Sequence, residues 1–284
     1  MSVRLHRLSI EARRAVLAER FDLTCAELET LSGGLDAERA DKMVESCVGV
    51  FSLPLGIGTD VVVNGREHLV PMVVEEASVV AAMSASAKLV KDAGGFVGDA
   101  DPSLMIGQVQ ILDVPDVGAA LAKLAASRAR ILAAANASAL GLVRRGGGAV
   151  DVEVRAFTEP MPMLIVHVVL DVLDAMGANA VNTTVEAITP LLAELTGGRP
   201  LLRILSNLAD RRLARARCEI PATLLDRPGF TGSEVIDGVV AAWAMAEADP
   251  YRAATHNKGV MNGIDAVAIA TGNDFRSVEA GAHA

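Results

Sequence analysis

Hydrophobic positions recur with a helical period at the two ends of this chain and with a strand period in its middle. In residues 8–53, "SIEARRAVLAERF" starts with a Ser cap and a Glu at helical spacing, and "DAERADKMVESCVGVF" is amphipathic, so both are expected as helices. In "DVVVNGREHLVPMVV" two β-branched runs flank Asn64-Gly65, a dipeptide that tolerates the positive φ of a tight hairpin. "EEASVVAAMSASAKLVKDAGG" reads as a helix stopped by Gly94-Gly95.

From residue 103 the period changes repeatedly. "SLMIGQVQILDV" reads as a strand, and "PDVGAALAKLAASRARILAAANAS" as a helix with Pro115 near its first turn. "AVDVEVRAF" and "MPMLIVHVVLDV" are strands, followed by a helix over "NAVNTTVEAITPLLAELTGG", where Pro190 is a candidate kink. Either "PLLRILSN" or "RLARARCEI" supplies the last strand. The order β-α-β-β-α-β predicts a ferredoxin-like unit over residues 103–220, inserted between a first part (1–102) and a second part (221–284) of a larger, mostly helical domain. The expected class is α+β. "TGSEVIDGVVAAWAMAEAD" begins the final helical stretch, and "FRSVEAGAHA" reads as the start of a last helix.

Composition narrows the picture. Hydrophobic residues make up 51% and aromatics 3%, so the core must be built from Ala, Val, Leu and Ile. A formal charge of −9 argues against a general nucleic-acid binder, which needs a basic face. Cys25, Cys47 and Cys218 form no CxxC spacing, and no histidine pair has ligand spacing, so no metal site is expected. The most apolar run is broken by His167, Asp171 and Asp174 and is too polar to span a bilayer. A cytoplasmic protein without membrane partners is the reading that follows.

Three segments carry candidate chemistry. "DAMGAN" (174–179) stands where a strand becomes a helix. It is either an ordinary connection or a helix N-terminus offering free N–H groups to a pyrophosphate. "VVEEAS" places Glu75, Glu76 and Ser78 at a similar junction, where the acids are either dipole partners or a general acid on an apolar cleft floor. "THNKGVMNG" (255–263) sets Lys258 among Asn257, Asn262, Gly259 and Gly263. This lysine is a surface charge, a structural partner or an electrophile, with Asp274 in "TGND" a possible partner and Arg252 and His256 adding anion-binding capacity.

Taken together, "VNGREHLVPMVVEEASVVAA", "DAMGANAVNT", "RILSNLADRRLARA" and "DPYRAATHNKGVMNGIDAVAIATGND" closely resemble the bacterial class II hydroxymethylglutaryl-CoA reductases along essentially the whole chain. The resemblance implies reduction of a CoA thioester by two hydrides from NADH or NADPH, through a hemithioacetal and an aldehyde, to mevalonate and free CoA, or the reverse. It implies a large helical substrate domain, a ferredoxin-like cofactor domain, and a homodimer with active sites at the subunit interface. Glu76, Lys258 and Asp274 match the family's catalytic residues; Ser78, Arg252, Asn262 and Glu45 match substrate-binding positions. Asp174, Met176, Gly177, Ala178 and Asn179 match the cofactor turn, and Asn207 matches an asparagine near the reaction centre.

Three departures accompany the resemblance. The family's "ENVIG" reads "ESCVG" here, so Ser46 shortens a hydrogen-bonding side chain. Ala139 in "ANASALG" stands where NAD-preferring relatives carry an aspartate, which leaves the coenzyme choice open, with Arg144 and Arg145 nearby in sequence. Family members also continue well beyond Ala284 into a flap whose histidine protonates the CoA thiolate, a role that does not fall on His283. The expectation is thus the N-terminal part of a reductase, with incomplete large-domain segments. The alternatives are a non-catalytic remnant that dimerises or binds CoA or nucleotide, and a dehydrogenase of another CoA thioester.

Overall fold

The structure is a computed structural model that describes residues 5–284. The chain forms two compact units, which meet in sequence at Pro54 and Leu55.

In the first unit, α1 (Ile10–Phe21) is capped as the sequence predicts, with Ser9 Oγ accepting from the Ala12 N–H at 3.2 Å. α2 (Cys25–Thr30) was not foreseen; a reciprocal capping box between Thr24 and Glu27 starts it. The Arg14 guanidinium donates to the Leu31 carbonyl at 2.7 Å and to Ser32 Oγ at 2.8 Å, tying α1 to the end of α2. α3 (Ala37–Met43) is shorter than the amphipathic pattern implied. Residues 44–54 hold no regular structure, and Val44 is already extended. The cause lies in the run itself: Val44, Val48, Gly49 and Val50 are poor helix formers, and nothing in the unit buries Val48 or Phe51.

The second unit opens with the expected hairpin. β1 (Leu55–Val63) and β2 (Arg66–Val73) pair antiparallel, and Asn64 and Gly65 take φ values of 51° and 76°. Both central residues positive is the turn whose twist matches the flanking strands. α4 (Val79–Asp92) packs along β1 and ends before Gly94-Gly95. The Asn64 side chain then bonds both the Gly98 carbonyl (2.9 Å) and the Gly98 N–H (3.0 Å), fastening the hairpin tip to β3 (Val97–Ala100).

β4 (Leu104–Leu112) begins the central sheet. The helical segment after it breaks at Ser127 into α5 (Val117–Ala126) and α6 (Arg128–Ser138), followed by the short α7 (Leu140–Val143). β5 (Gly148–Phe157), β6 (Met163–Asp171), α8 (Ala178–Thr196) and β7 (Arg199–Leu205) complete the sheet and the helices on it. The sheet is antiparallel throughout, in the order β5-β6-β4-β7, which is the strand order a split βαβ arrangement gives. Of the two candidates for the last strand, "PLLRILSN" joins this sheet. "RLARARCEI" instead forms β8 (Ala214–Arg217), which pairs with β3 in a separate two-stranded sheet. α8 runs through Pro190 without a break.

One face of the central sheet is covered by α5, α6 and α8. Val109, Ile111, Leu164, Val166, Val168 and Leu170 meet Leu124, Ile131, Val181, Val185, Ile188 and Leu192 there. Among the described residues, the buried core holds no aromatic side chain, in keeping with the composition. Each such Leu, Ile or Val contributes about 1.5–3 kcal/mol by leaving water. The opposite face is mixed: Ile106, Ile165 and Val169 share it with Glu153, His167 and Gln108, which stand in register across three strands, and Gln108 Nε2 lies 2.9 Å from His167 Nε2. Burial, and then the nearby Arg155 charge, hold the His167 imidazole below its ordinary pKa.

Helices return after β8. α9 (Gly232–Ala248) starts in a capping box between Thr231 and Glu234, α10 (Pro250–Ala270) has Pro250 in its first turn and Asp249 as cap, and α11 (Phe275–His283) follows. α10 lies against β2, α4, α9 and α11. Among the described residues, no helix is long and apolar enough to cross a membrane.

Candidate active site

Glu76 sits in the turn between β2 and α4. The hairpin fixes where β2 ends, and the packing of α4 on β1 fixes where the chain must go next. The turn is closed by Ser78 in a left-handed conformation, φ 74°, rare for a residue with a Cβ. Ser78 occupies the N-cap position of α4, yet its side chain makes no capping hydrogen bond. A serine held in an unfavourable conformation with its hydroxyl unspent is a feature of functional sites rather than of ordinary caps.

Lys258 lies in the middle of α10, and its Nζ donates to Glu76 Oε2 at 2.5 Å across 182 residues of sequence. Two motifs that the sequence could only name separately are therefore in contact. Both side chains keep access to solvent, 61% exposed for Lys258 and 48% for Glu76. This corrects the apolar cleft floor expected around Glu76: its partner is a cation, and water reaches both. Gly259 and Gly263 are also reinterpreted, since both are helical and neither supplies a special backbone conformation. A Cβ at either would meet nothing within 4 Å, so they leave bare helix surface beside the lysine.

Asn262 follows Lys258 by one helical turn, half-buried on the same side of α10. Arg252, also half-buried, has no carboxylate partner among the described residues. His256 is exposed. An Arg left without an internal anion, close in sequence to a Lys–Glu pair, is suited to a carboxylate brought by a ligand.

Asp274 is placed differently from the expectation that it would partner Lys258. It caps α11, accepting from the Ser277 N–H at 3.2 Å, with Arg276 Nε at 3.7 Å. Ser277 Oγ in turn donates to Asn207 Oδ1 at 2.9 Å. The structure thus brings together a second group, Asp274, Ser277 and Asn207, from the start of α11 and the loop after β7. Ser277 was missed by sequence reasoning. Its signal was the Asp–x–x–Ser spacing at a helix start, which puts the serine N–H on the cap.

The turn at 174–179 joins β6 to α8, as its pattern implied. Gly177 takes φ 94°, and a Cβ there would lie 2.4 Å from Met105 Sδ and 3.0 Å from both Val172 methyls. Only glycine fits. No side chain caps α8, so the first-turn N–H groups, among them those of Ala178 and Asn179, remain without an internal acceptor. Asp174 and Met176 are exposed beside them. An uncapped start on a 19-residue helix, with a glycine that lets backbone approach, fits the pyrophosphate of a dinucleotide. Ala139 is buried between α6 and α7, and Arg144 and Arg145 stand exposed after α7. Glu45 belongs to the first unit, exposed just past α3.

These observations define an α+β protein in which Lys258 meets Glu76 and a glycine turn opens α8 without a side-chain cap. The family model for hydroxymethylglutaryl-coenzyme A reductase matches residues 9–284, and the chain belongs to that family. It is 47% identical over 280 residues to 3-hydroxy-3-methylglutaryl-coenzyme A reductase of Archaeoglobus fulgidus, covering 98% of this chain and 63% of that protein. A probable 3-hydroxy-3-methylglutaryl-coenzyme A reductase of Borreliella burgdorferi is 30% identical over 244 residues, 85% of this chain and 55% of its own length. The chain thus spans less than two thirds of these curated relatives. Among solved structures, the Streptococcus pneumoniae reductase superposes with a TM-score of 0.94 at 42% identity, covering 98% of this chain and 76% of that one. A class II enzyme from the same organism, bound to NADPH in open conformations, matches equally well.

Proposed function

We propose that this chain carries the acid–lysine centre of a reductase that interconverts 3-hydroxy-3-methylglutaryl-CoA with mevalonate and CoA. The observation that carries the reading is the Lys258–Glu76 contact beside the strained Ser78. A nicotinamide coenzyme, NADH or NADPH, supplies or receives the hydride. Lys258 holds positive charge against the carbonyl oxygen as negative charge develops on it, and Glu76 exchanges a proton with that oxygen. Arg252, Asn262 and Ser78 receive the acyl portion, the guanidinium taking its free carboxylate as a fork takes two oxygens. Glu45 belongs to the CoA side of this reading. Asp174, Met176, Gly177, Ala178 and Asn179 form the cofactor turn. Asp274 acts from the start of α11 together with Asn207.

In this reading residues 1–102 and 221–284 belong to the substrate domain, and 103–220 form the cofactor domain. The proposal includes a homodimer in a reducing cytoplasm. α9 leaves Val239, Val240 and Trp243 more than half exposed, an apolar face that a second copy would cover.

The test is mevalonate- and CoA-dependent reduction of NAD and of NADP, followed at the nicotinamide absorbance. It is run on this chain alone and on this sequence extended to the length of its relatives. Turnover in the extended form supports the proposal. Coenzyme or CoA binding without turnover in both forms favours the non-catalytic alternative instead.

A further inference from the structure

We propose that Asp265 on α10 and Glu279 on α11 share a single proton, and that this shared proton sets how firmly α11 docks on α10. The two are thereby positioning residues for Asp274, which begins α11. The part of this inference that concerns Asp274 rests on the function proposed above.

The starting point is an unsatisfied group. Asp265 Oδ1 is buried, and no donor reaches it. Its carboxyl instead meets the carboxyl of Glu279 across the interface of the two helices. An ionised carboxylate only accepts hydrogen bonds, so two of them in contact repel. The contact becomes a hydrogen bond when one of the two keeps its proton. The surroundings favour that state: burial first, then the Glu279 charge, hold Asp265 above the ordinary aspartate value, and His283 on α11 works against the shift. Among the described residues, the other elements packed on α10, namely β2, α4 and α9, place no further charge on this carboxyl.

The position of the pair gives it leverage. Asp265 follows Lys258 by seven residues, two turns along the same side of α10. Glu279 lies five residues into α11 from its Asp274 cap. Asp274 receives the Ser277 N–H, and Ser277 reaches Asn207. A change in how α11 sits on α10 therefore moves Asp274, Ser277 and the link to Asn207 as one body, while Lys258 stays on α10. The sign follows from the raised value. The docking contribution is complete below the ordinary aspartate range and is lost as pH rises through the raised value.

Two measurements on this chain test the inference without requiring turnover. The first is a titration of carbon-13-labelled Asp and Glu carboxyls by NMR. The second is amide hydrogen exchange in α11, corrected for the intrinsic effect of pH. The Asp265 carboxyl is expected to titrate above its ordinary range. Protection of α11 should fall as pH rises from the ordinary aspartate range through the raised value, by about tenfold for every pH unit that separates the two. Asp265→Asn places a permanent donor against Glu279, so protection should stay at the acid level across that range. Glu279→Gln is the reciprocal variant and should do the same. Ordinary titration of Asp265, or protection that varies with pH in the variants as in the parent, overturns the proposal. In the extended, active protein, Asp265→Asn should remove one limb of the kcat–pH profile with little change in KM. An inactive parent would count against the proposed function, and the two measurements above would still decide the proton.

Discussion

The central sheet with α5, α6 and α8 contrasts sharply with α9, α10 and α11. The first buries Val, Leu and Ile almost completely, and its turn at Gly177 is closed on the inside. The second leaves most side chains of α9 and much of α10 in solvent, and it carries the lysine, the arginine and the capping aspartate. Stability and candidate chemistry are thus seated in different places. The sheet unit is a frame that presents an uncapped helix start, whereas the helical region offers charges on open surfaces. The lesson is that a reactive-looking group need not be a buried one in the chain that carries it.

Leu164→Ala attacks the frame. The side chain is fully buried, so the truncation should cost about 2–5 kcal/mol, read from denaturant unfolding, while the helical region keeps its own chemistry in the molecules that remain folded. Lys258→Ala attacks the other side. Removing a donor to a developing oxyanion should lower turnover about 10²–10³-fold, and the unfolding midpoint should barely move because the Glu76 contact is exposed. Parallel loss of stability and activity in both variants would erase the distinction drawn above. Arg252→Ala sharpens it further: a charged hydrogen bond is worth about 1.5–3 kcal/mol, so KM for the acyl substrate should rise about 10- to 100-fold, with kcat changing less.

The smallest effect belongs to His167, on the sheet face away from α5, α6 and α8. His167 has a depressed pKa, so its contribution to stability is present above the ordinary histidine value and is lost as pH falls through the lowered one. His167→Gln should flatten stability against pH over that window, measured by unfolding at a series of pH values.

Much of this was legible in the sequence because local rules and global packing agreed. Asn64-Gly65 demanded a turn with two positive φ values, and the chain supplies one. The alternation of "AVDVEVRAF" marked β5 as a strand, and Gly177 marked the turn that only glycine fits. Glu76 and Lys258 were both named, but their contact lies beyond any local pattern. Where the reading failed, a competing term won. Residues 44–51 had a helical period but β-branched residues and no surface to bury against. The glycines around Lys258 suggested backbone freedom, yet α10 runs through them as regular helix, packed on β2 and α4. The Asp265–Glu279 contact was invisible because a helix break separates two carboxylates that sequence alone would set apart.

The separation of 182 residues between Glu76 and Lys258 also governs when the site can exist. During synthesis the central sheet is complete once β7 has emerged, well before residue 258 is made. The frame can therefore condense on its own schedule, as units of this size do. The acid–lysine contact must wait for closure of a long loop, which slows its appearance relative to local structure. Partly made or partly unfolded chains hold a glutamate and a lysine but no pair. Reactivity is in this way confined to molecules that have finished folding.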